Sequence, residues 1–232
     1  MSQEFEDQGG FATMDPSGPV RWASSQVLRR LISPATRRRR HARAEQARQR
    51  AGRPHRVEYF HQVEDGYSHL AAQLLGPLQE RYDVELVCHL VNVPRDRNLP
   101  EPDLLLPLSR YDSAQVAPHY GLQFPAAAGA PETDQVELAQ RILAQAGATE
   151  FPAWAVAAGE ALWAGARAGL AALADAHGLA TPDAAAAAIV SGVERRAQLG
   201  HYSAAMFHYE GEWYWGADRF YHLEQRLAAV GA

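Results

Sequence analysis

The sequence has one cysteine, Cys88, and no lysine, so all 22 of its basic residues are arginine. A lone cysteine excludes an internal disulfide, a CxxC redox pair and a cysteine-based zinc site. Because Cys88 sits inside the apolar run VELVCHLV, it reads as a small buried hydrophobe rather than a nucleophile. Long apolar runs are missing too: no stretch of about 18 uncharged apolar residues occurs, and no membrane-spanning helix is expected. The first residues lack the apolar stretch of a signal peptide, and the expected location is cytoplasmic. With 232 residues, 47% of them hydrophobic, the chain can build one sizeable core and is too apolar for general disorder.

Acids are scarce where the arginines concentrate. Twelve arginines fall between Arg21 and Arg56, where Glu45 is the only acid, so this stretch carries +11. Residues 1–20 carry −4 and residues 57–232 carry −12, within a total of −5. An acidic domain therefore carries a basic arm, which suits an anionic partner. Arg37 to Arg40 are consecutive, so on a helix they point all round rather than forming one stripe. No interleaved aromatics or nucleic-acid-binding signature accompany them. The expected partner of the arm is thus an acidic protein surface rather than nucleic acid.

Residues 1–20 mix glycine, proline, serine and acids without a period and are expected to form a disordered acidic tail. Residues 21–56 form the arm. In it Trp22, Val27, Leu28, Leu31 and Ile32 fall close to helical spacing before Pro34. The following ATRRRRHARAEQARQR has good helix formers but almost no apolar stripe, and is expected to be helical only when its charge is neutralised.

The domain spans residues 57–232. Val57 to Val63 reads as a strand, followed by a helix from Gly66 to about Tyr82 that Pro77 bends or interrupts. The apolar run VELVCHLVNV, residues 84–93, fits a strand covered on both faces, giving a β-α-β unit of parallel-crossover length. Residues 94–131 read as irregular apart from a short helical piece at SRYDSAQVAPHYG. About residues 134–199 form an alanine-rich helical insertion, whose last helix takes Thr181 as N-cap, Pro182 as first helical residue and Gly200 as stop. Two aromatic strands around Glu210-Gly211 and a helix from near Ala217, with Phe220, Leu223 and Leu227 inward, close the chain. The expected fold class is α/β: a thioredoxin-like fold with a helical insertion between its β-α-β and β-β-α halves, plus the arginine-rich arm.

The pieces YFHQVEDGYSHLAAQLL, DSAQVAPHYGLQFP and EGEWYWGADRFYHLE resemble the DsbA-like family. They are nearest its branch of 2-hydroxychromene-2-carboxylate isomerases and kappa-class glutathione transferases, over roughly residues 57–229. In that family the first domain helix opens with Cys-Pro or Ser-Pro-Tyr, and its N-terminus holds a thiolate. The resemblance puts Asp65 at the Cys or Ser position, Gly66 at the proline and Tyr67 at the tyrosine, so the disulfide mechanism is absent. The family's cis-proline falls on Ala205, where a cis bond would cost about 2.5–4 kcal/mol. A trans bond and a reshaped ligand wall at Ala204 and Ala205 are therefore expected. Gly216, Asp218 and Arg219 match the Gly-x-Asp-Arg element that binds the γ-glutamyl end of glutathione, and Trp215 could line an aromatic substrate's pocket.

The resemblance thus implies glutathione or another small thiol or aromatic ligand, and, where catalysis is kept, glutathione-assisted isomerisation or transfer. Tyr67 and Ser68 would then place the ligand and Asp65 accept a proton. The rival is an inactive interaction module that docks through the arm. Each site residue also has a structural reading. Asp65 would cap the helix, with the dipole favouring its charged form; Asp218 would cap the last helix; Tyr67 would pack and Ser68 add a capping contact. His61, His89 and His208, on three neighbouring strands, would ligate a metal only if they shared one face. Strand alternation argues against that, and no metal is expected.

Overall fold

The structure, a computed structural model, describes residues 17–92, 102–125 and 129–232. Most of the expected acidic tail, up to residue 16, lies outside the described residues, as does Val93. The chain divides into two compact units, one ending at Ala47 and one spanning Arg48–Ala232.

The first unit holds α1 (Gly18–Leu31) and most of α2 (Pro34–Arg50). Ser33 and Pro34 separate them: the Thr36 backbone N–H donates to Ser33 Oγ at 3.2 Å, and Pro34 takes the first helical position. Given that start and its alanines, glutamines and arginines, α2 is helical as it stands, where helix on neutralisation alone was expected. Neither helix has a buried residue; α1 exposes Trp22, Val27, Leu28 and Leu31, and Ile32 just after it is exposed too.

The second unit is built on a four-stranded sheet of order β2-β1-β3-β4, comprising β1 (His55–His61), β2 (Val84–Leu90), β3 (Met206–Tyr209) and β4 (Glu212–Trp215). β1 and β2 run parallel, whereas β3 and β4 are antiparallel to their neighbours. This is the thioredoxin-like arrangement expected from the element order. Glu210 and Gly211 turn the hairpin with φ of 44° and 78°, the left-handed region a two-residue hairpin requires. Register puts Val57, Tyr59, Leu86 and Phe207 on one face, in the main core. Phe60, His89 and Met206 lie on the other face, where Val193 and Leu199 pack. The second face is closed by α9 (Pro182–Gln198), which meets β2 so closely that a Cβ at Gly192 would run into the Leu90 carbonyl.

Several elements differ from the sequence reading. The helix after β1 is two helices, α3 (Gly66–Ala72) and α4 (Leu75–Arg81). Pro77 has no N–H to give to the carbonyl of Gln73, so the ladder breaks one turn before the proline rather than at it. The segment read as irregular contains α5 (Pro102–Val116), a helix with Pro107 inside it, and then a 3-10 turn, Ala117–Tyr120. The alanine-rich stretch comprises α6 (Thr133–Leu143), α7 (Phe151–Trp163), α8 (Arg167–His177) and α9. α7 and α8 part at Gly165, whose φ is 64°. Thr181 caps α9 by accepting the Ala184 N–H at 3.2 Å, and α10 (Gly216–Val230) buries Phe220, Leu223 and Leu227. Among the described residues, no helix is long and apolar enough to cross a membrane.

Candidate ligand-binding cleft

β1 ends below the N-terminus of α3, and Asp65 sits at that junction as the N-cap of α3, with φ −101° and ψ 121°. Its Oδ2 accepts from the Ser68 N–H and the Ser68 hydroxyl, each at 2.9 Å, and its Oδ1 accepts from the Ser109 hydroxyl of α5 at 2.6 Å. Ser68 Oγ in turn accepts the Gln62 N–H at 3.2 Å. Ser68, Ser109 and Ser113 are buried, and so is Asp65. α5 lies so near that a Cβ on Gly66 would come within 2.6 Å of Ser113 Oγ. The helix N-terminus is therefore sealed by side chains. Burial raises the Asp65 pKa against the pull of its Ser109 and Ser68 hydrogen bonds, the opposite of the dipole-driven shift expected from the cap alone.

Ser68 is thus held inside the cap, whereas Tyr67 turns outward and donates to Asp112 Oδ2 at 2.7 Å. Tyr67 lines a cleft of about 210 Å³ together with Leu70, Asp112, Val116, Trp215 and Asp218. The apolar walls come from Leu70, Val116 and Ala217. Of the residues singled out from sequence, the structure brings together Tyr67, Trp215, Gly216 and Asp218 here. Asp218 does not cap α10. The N-cap position belongs to Trp215, because the helix starts directly on leaving β4, and Asp218 instead accepts the Tyr120 hydroxyl at 2.7 Å. Asp218 also borders a wider, open groove of about 470 Å³, shared with Tyr120, Arg81 and Tyr221.

Ala204 and Ala205 are buried beneath this end of the sheet, and no cis peptide bond occurs among the described residues. The Ala205 carbonyl is taken by the Gly216 N–H at 2.7 Å. Arg219 is exposed. Asp112 and Tyr120 were not singled out from sequence. The signal for Asp112 was the spacing of Ser109, Asp112 and Ser113, which places small polar residues three and four apart as one helix would.

The three histidines do not meet. His61 shares the main-core face with Tyr59, whose hydroxyl lies 3.0 Å from His61 Nδ1, and burial lowers its pKa to about 3. His89 and His208 lie on the opposite face around Glu58, an acid of the central strand that sequence reasoning passed over. Among the described residues, no group of three His, Cys, Asp or Glu could hold a metal ion. Glu58 accepts from His89 Nε2 at 3.0 Å, from Arg195 Nη2 at 2.6 Å and from Arg195 Nε at 2.7 Å. Burial opposes its charge, yet the His89 and Arg195 hydrogen bonds outweigh burial and hold the carboxyl at about 2. Burial pushes the Cys88 thiol up, so it stays protonated and inert.

Two solved structures align with most of this chain. One is 2-hydroxychromene-2-carboxylate isomerase (HCCA isomerase), with a TM-score of 0.54 and 17% identity over 75% of this chain and 95% of that one. The other is a probable DsbA oxidoreductase from Streptomyces coelicolor, with a TM-score of 0.54 and 15% identity over 76% and 89%. The chain has the DsbA-like thioredoxin fold. No protein-family model matches the chain, and no curated relative matches it. In this DsbA-like fold the sealed α3 N-terminus is the main departure from the expected site.

Two outcomes follow for stability. Asp65→Ala should cost about 1–3 kcal/mol in urea denaturation, by loss of the cap and of the Ser109 acceptor. Combined with Ser109→Ala, it should cost less than the sum of the two single changes, since the partners share one interaction. Glu58 is depressed in the folded state, so its stabilisation is present above the ordinary carboxylate range and is lost as pH falls towards about 2. Glu58→Gln should therefore cost on the order of 2 kcal/mol at pH 7, and the gap to the unaltered protein should shrink steadily below about pH 4.

Proposed function

We propose that this protein is a binding module of DsbA-like fold that performs no thiol chemistry and holds a small cationic ligand in the cleft between α3, α5 and α10. The observation that carries the reading is the pair of carboxylates on an apolar cleft. Asp112 and Asp218 each accept one tyrosine hydroxyl and keep a second oxygen for a ligand donor. Leu70, Val116 and Ala217 offer contact to an apolar body, and Trp215, 56% exposed, offers an aromatic face for a cation. An aromatic amine satisfies both demands.

Glutathione is the weaker occupant. Its amino group would suit Asp218, but its thiolate would approach a helix N-terminus already filled by the Asp65 carboxylate and covered by α5. A carboxylate there repels a thiolate and withholds the N–H groups that would stabilise it. Isomerase or transferase chemistry that depends on that thiolate loses its main source of activation.

A second reading concerns the arm, and the exposed apolar side of α1 favours it. Trp22, Val27, Leu28, Leu31 and Ile32 stand exposed within the stretch, residues 21–56, that carries +11. Such a helix pair suits a groove on an acidic partner protein, the apolar side chains giving affinity and the arginines giving orientation and rate.

Titration calorimetry with tyramine, its neutral counterpart 4-ethylphenol and reduced glutathione tests the cleft. Tyramine should bind, 4-ethylphenol should bind at least about tenfold more weakly, and Asp218→Asn should erase that difference. Equal binding of both phenols, or conjugation of glutathione to an electrophile, would overturn the reading. For the arm, a peptide of residues 17–50 should bind polyglutamate, by a rise in fluorescence anisotropy, and release it in high salt. No response to polyglutamate would count against an acidic partner.

A further inference from the structure

A second cavity, of about 300 Å³, lies in the same domain and shares no lining residue with the cleft. Glu64, Pro107, Arg110, Pro131, Thr133 and Trp163 line it. Glu64 is the residue immediately before the sealed cap, Arg110 comes from α5, and Trp163 ends α7. Nothing in the binding role proposed above uses these residues.

Two of the residues that line this cavity carry unmatched polar atoms. Glu64 Oε2 is buried and has no hydrogen-bond partner, and the same holds for the indole Nε1 of Trp163, a residue only 2% exposed. Buried polar atoms in native proteins are bonded in the large majority of cases, so two orphans on one cavity call for an occupant. Among the described residues Arg110 has no ion-pair partner either, although it lines the same cavity as a buried carboxylate. A guanidinium and a carboxylate close enough to meet would pair bidentately. Here the cavity holds them apart, and a ligand that satisfies both must carry a donor cation at one end and an acceptor anion at the other.

We propose that this cavity binds a small zwitterion of the free amino-acid class, its ammonium on Glu64 and its carboxylate on Arg110 and the Trp163 N–H. Pro107, Pro131 and Val136 supply apolar wall for the side chain, and Thr133 adds a hydroxyl. The volume suits a single amino acid or a dipeptide. Burial raises the Glu64 pKa, reinforced by the neighbouring Asp65, and an ammonium in contact would reverse that shift.

The test uses the full chain and three probes: L-leucine, L-leucinamide, which lacks the carboxylate, and 4-methylpentanoate, which lacks the amine. L-leucine should bind in calorimetry and raise the melting temperature, and each of the others should bind at least about tenfold more weakly. Glu64→Gln and Arg110→Gln should each weaken L-leucine by about tenfold or more, and Trp163→Phe, which keeps the ring but removes the N–H, by several-fold. Asp218→Asn, in the other cleft, should change nothing. Absence of L-leucine binding at millimolar concentration overturns the proposal, as does binding of the amide or the methylpentanoate as tight as that of L-leucine. Loss of binding on Asp218→Asn would assign the amino acid to the other cleft and sink this one. If Arg110→Gln fails to fold, the near-isosteric Glu64→Gln decides by itself.

Discussion

The close approach of α5 to the first turn of α3 sets what this domain can do. Gly66 permits it by having no Cβ, and the Ser109 hydroxyl on Asp65 fixes it. A first-turn helix N–H is a ready site for an anion, and a carboxylate from the chain itself now occupies it. Once Asp65 is buried there, a second anion from solvent meets like charge and no free donor. The DsbA-like fold keeps its scaffold, and the first turn of α3 becomes a packing contact.

The far side of the sheet is organised by charge rather than by a site. Glu58 lies in the central strand, where an unpaired carboxylate would be prohibitive, and Arg195 from α9 meets it bidentately while His89 fills in from β2. That interaction fixes the rotation of α9 about its own axis, and Gly192 then lets the helix settle against the Leu90 carbonyl. Arg226 does a similar job at the hairpin. It donates to the Tyr209 and Glu210 carbonyls and sits over the Tyr209 ring, so α10 leaves β4 in a fixed direction. The direction of α10 in turn decides where Asp218 lands.

Local chemistry was legible in the sequence and long-range partnership was not. The Thr181-Pro182 start of α9, the Glu210-Gly211 turn and the Asp65 cap are each decided within four residues, and each could be read directly. The break of the first helix was legible as a consequence of Pro77 but displaced, because the missing N–H acts on the carbonyl four residues earlier. α5 was hidden by Pro102 and Pro107, which look like loop residues although the first opens this helix and the second lies inside it. Asp218 was read as a cap because its chemistry suits one. Its actual partner, Tyr120, lies 98 residues upstream, a distance no local pattern spans. The direction of the Asp65 shift was hidden for the same reason, since its burial comes from α5.

α5 therefore carries more than the seal. Ser109 and Ser113, four apart, face Gly66; Asp112 and Val116, also four apart, line the cleft with α3 and α10; Pro107 and Arg110, three apart, line the cavity with Glu64 and Trp163. At 100° per residue the serine pair lies between the other two pairs around the helix. One helix thus presents three stripes, the middle one closing the first turn of α3 and the outer ones each lining a space beside it.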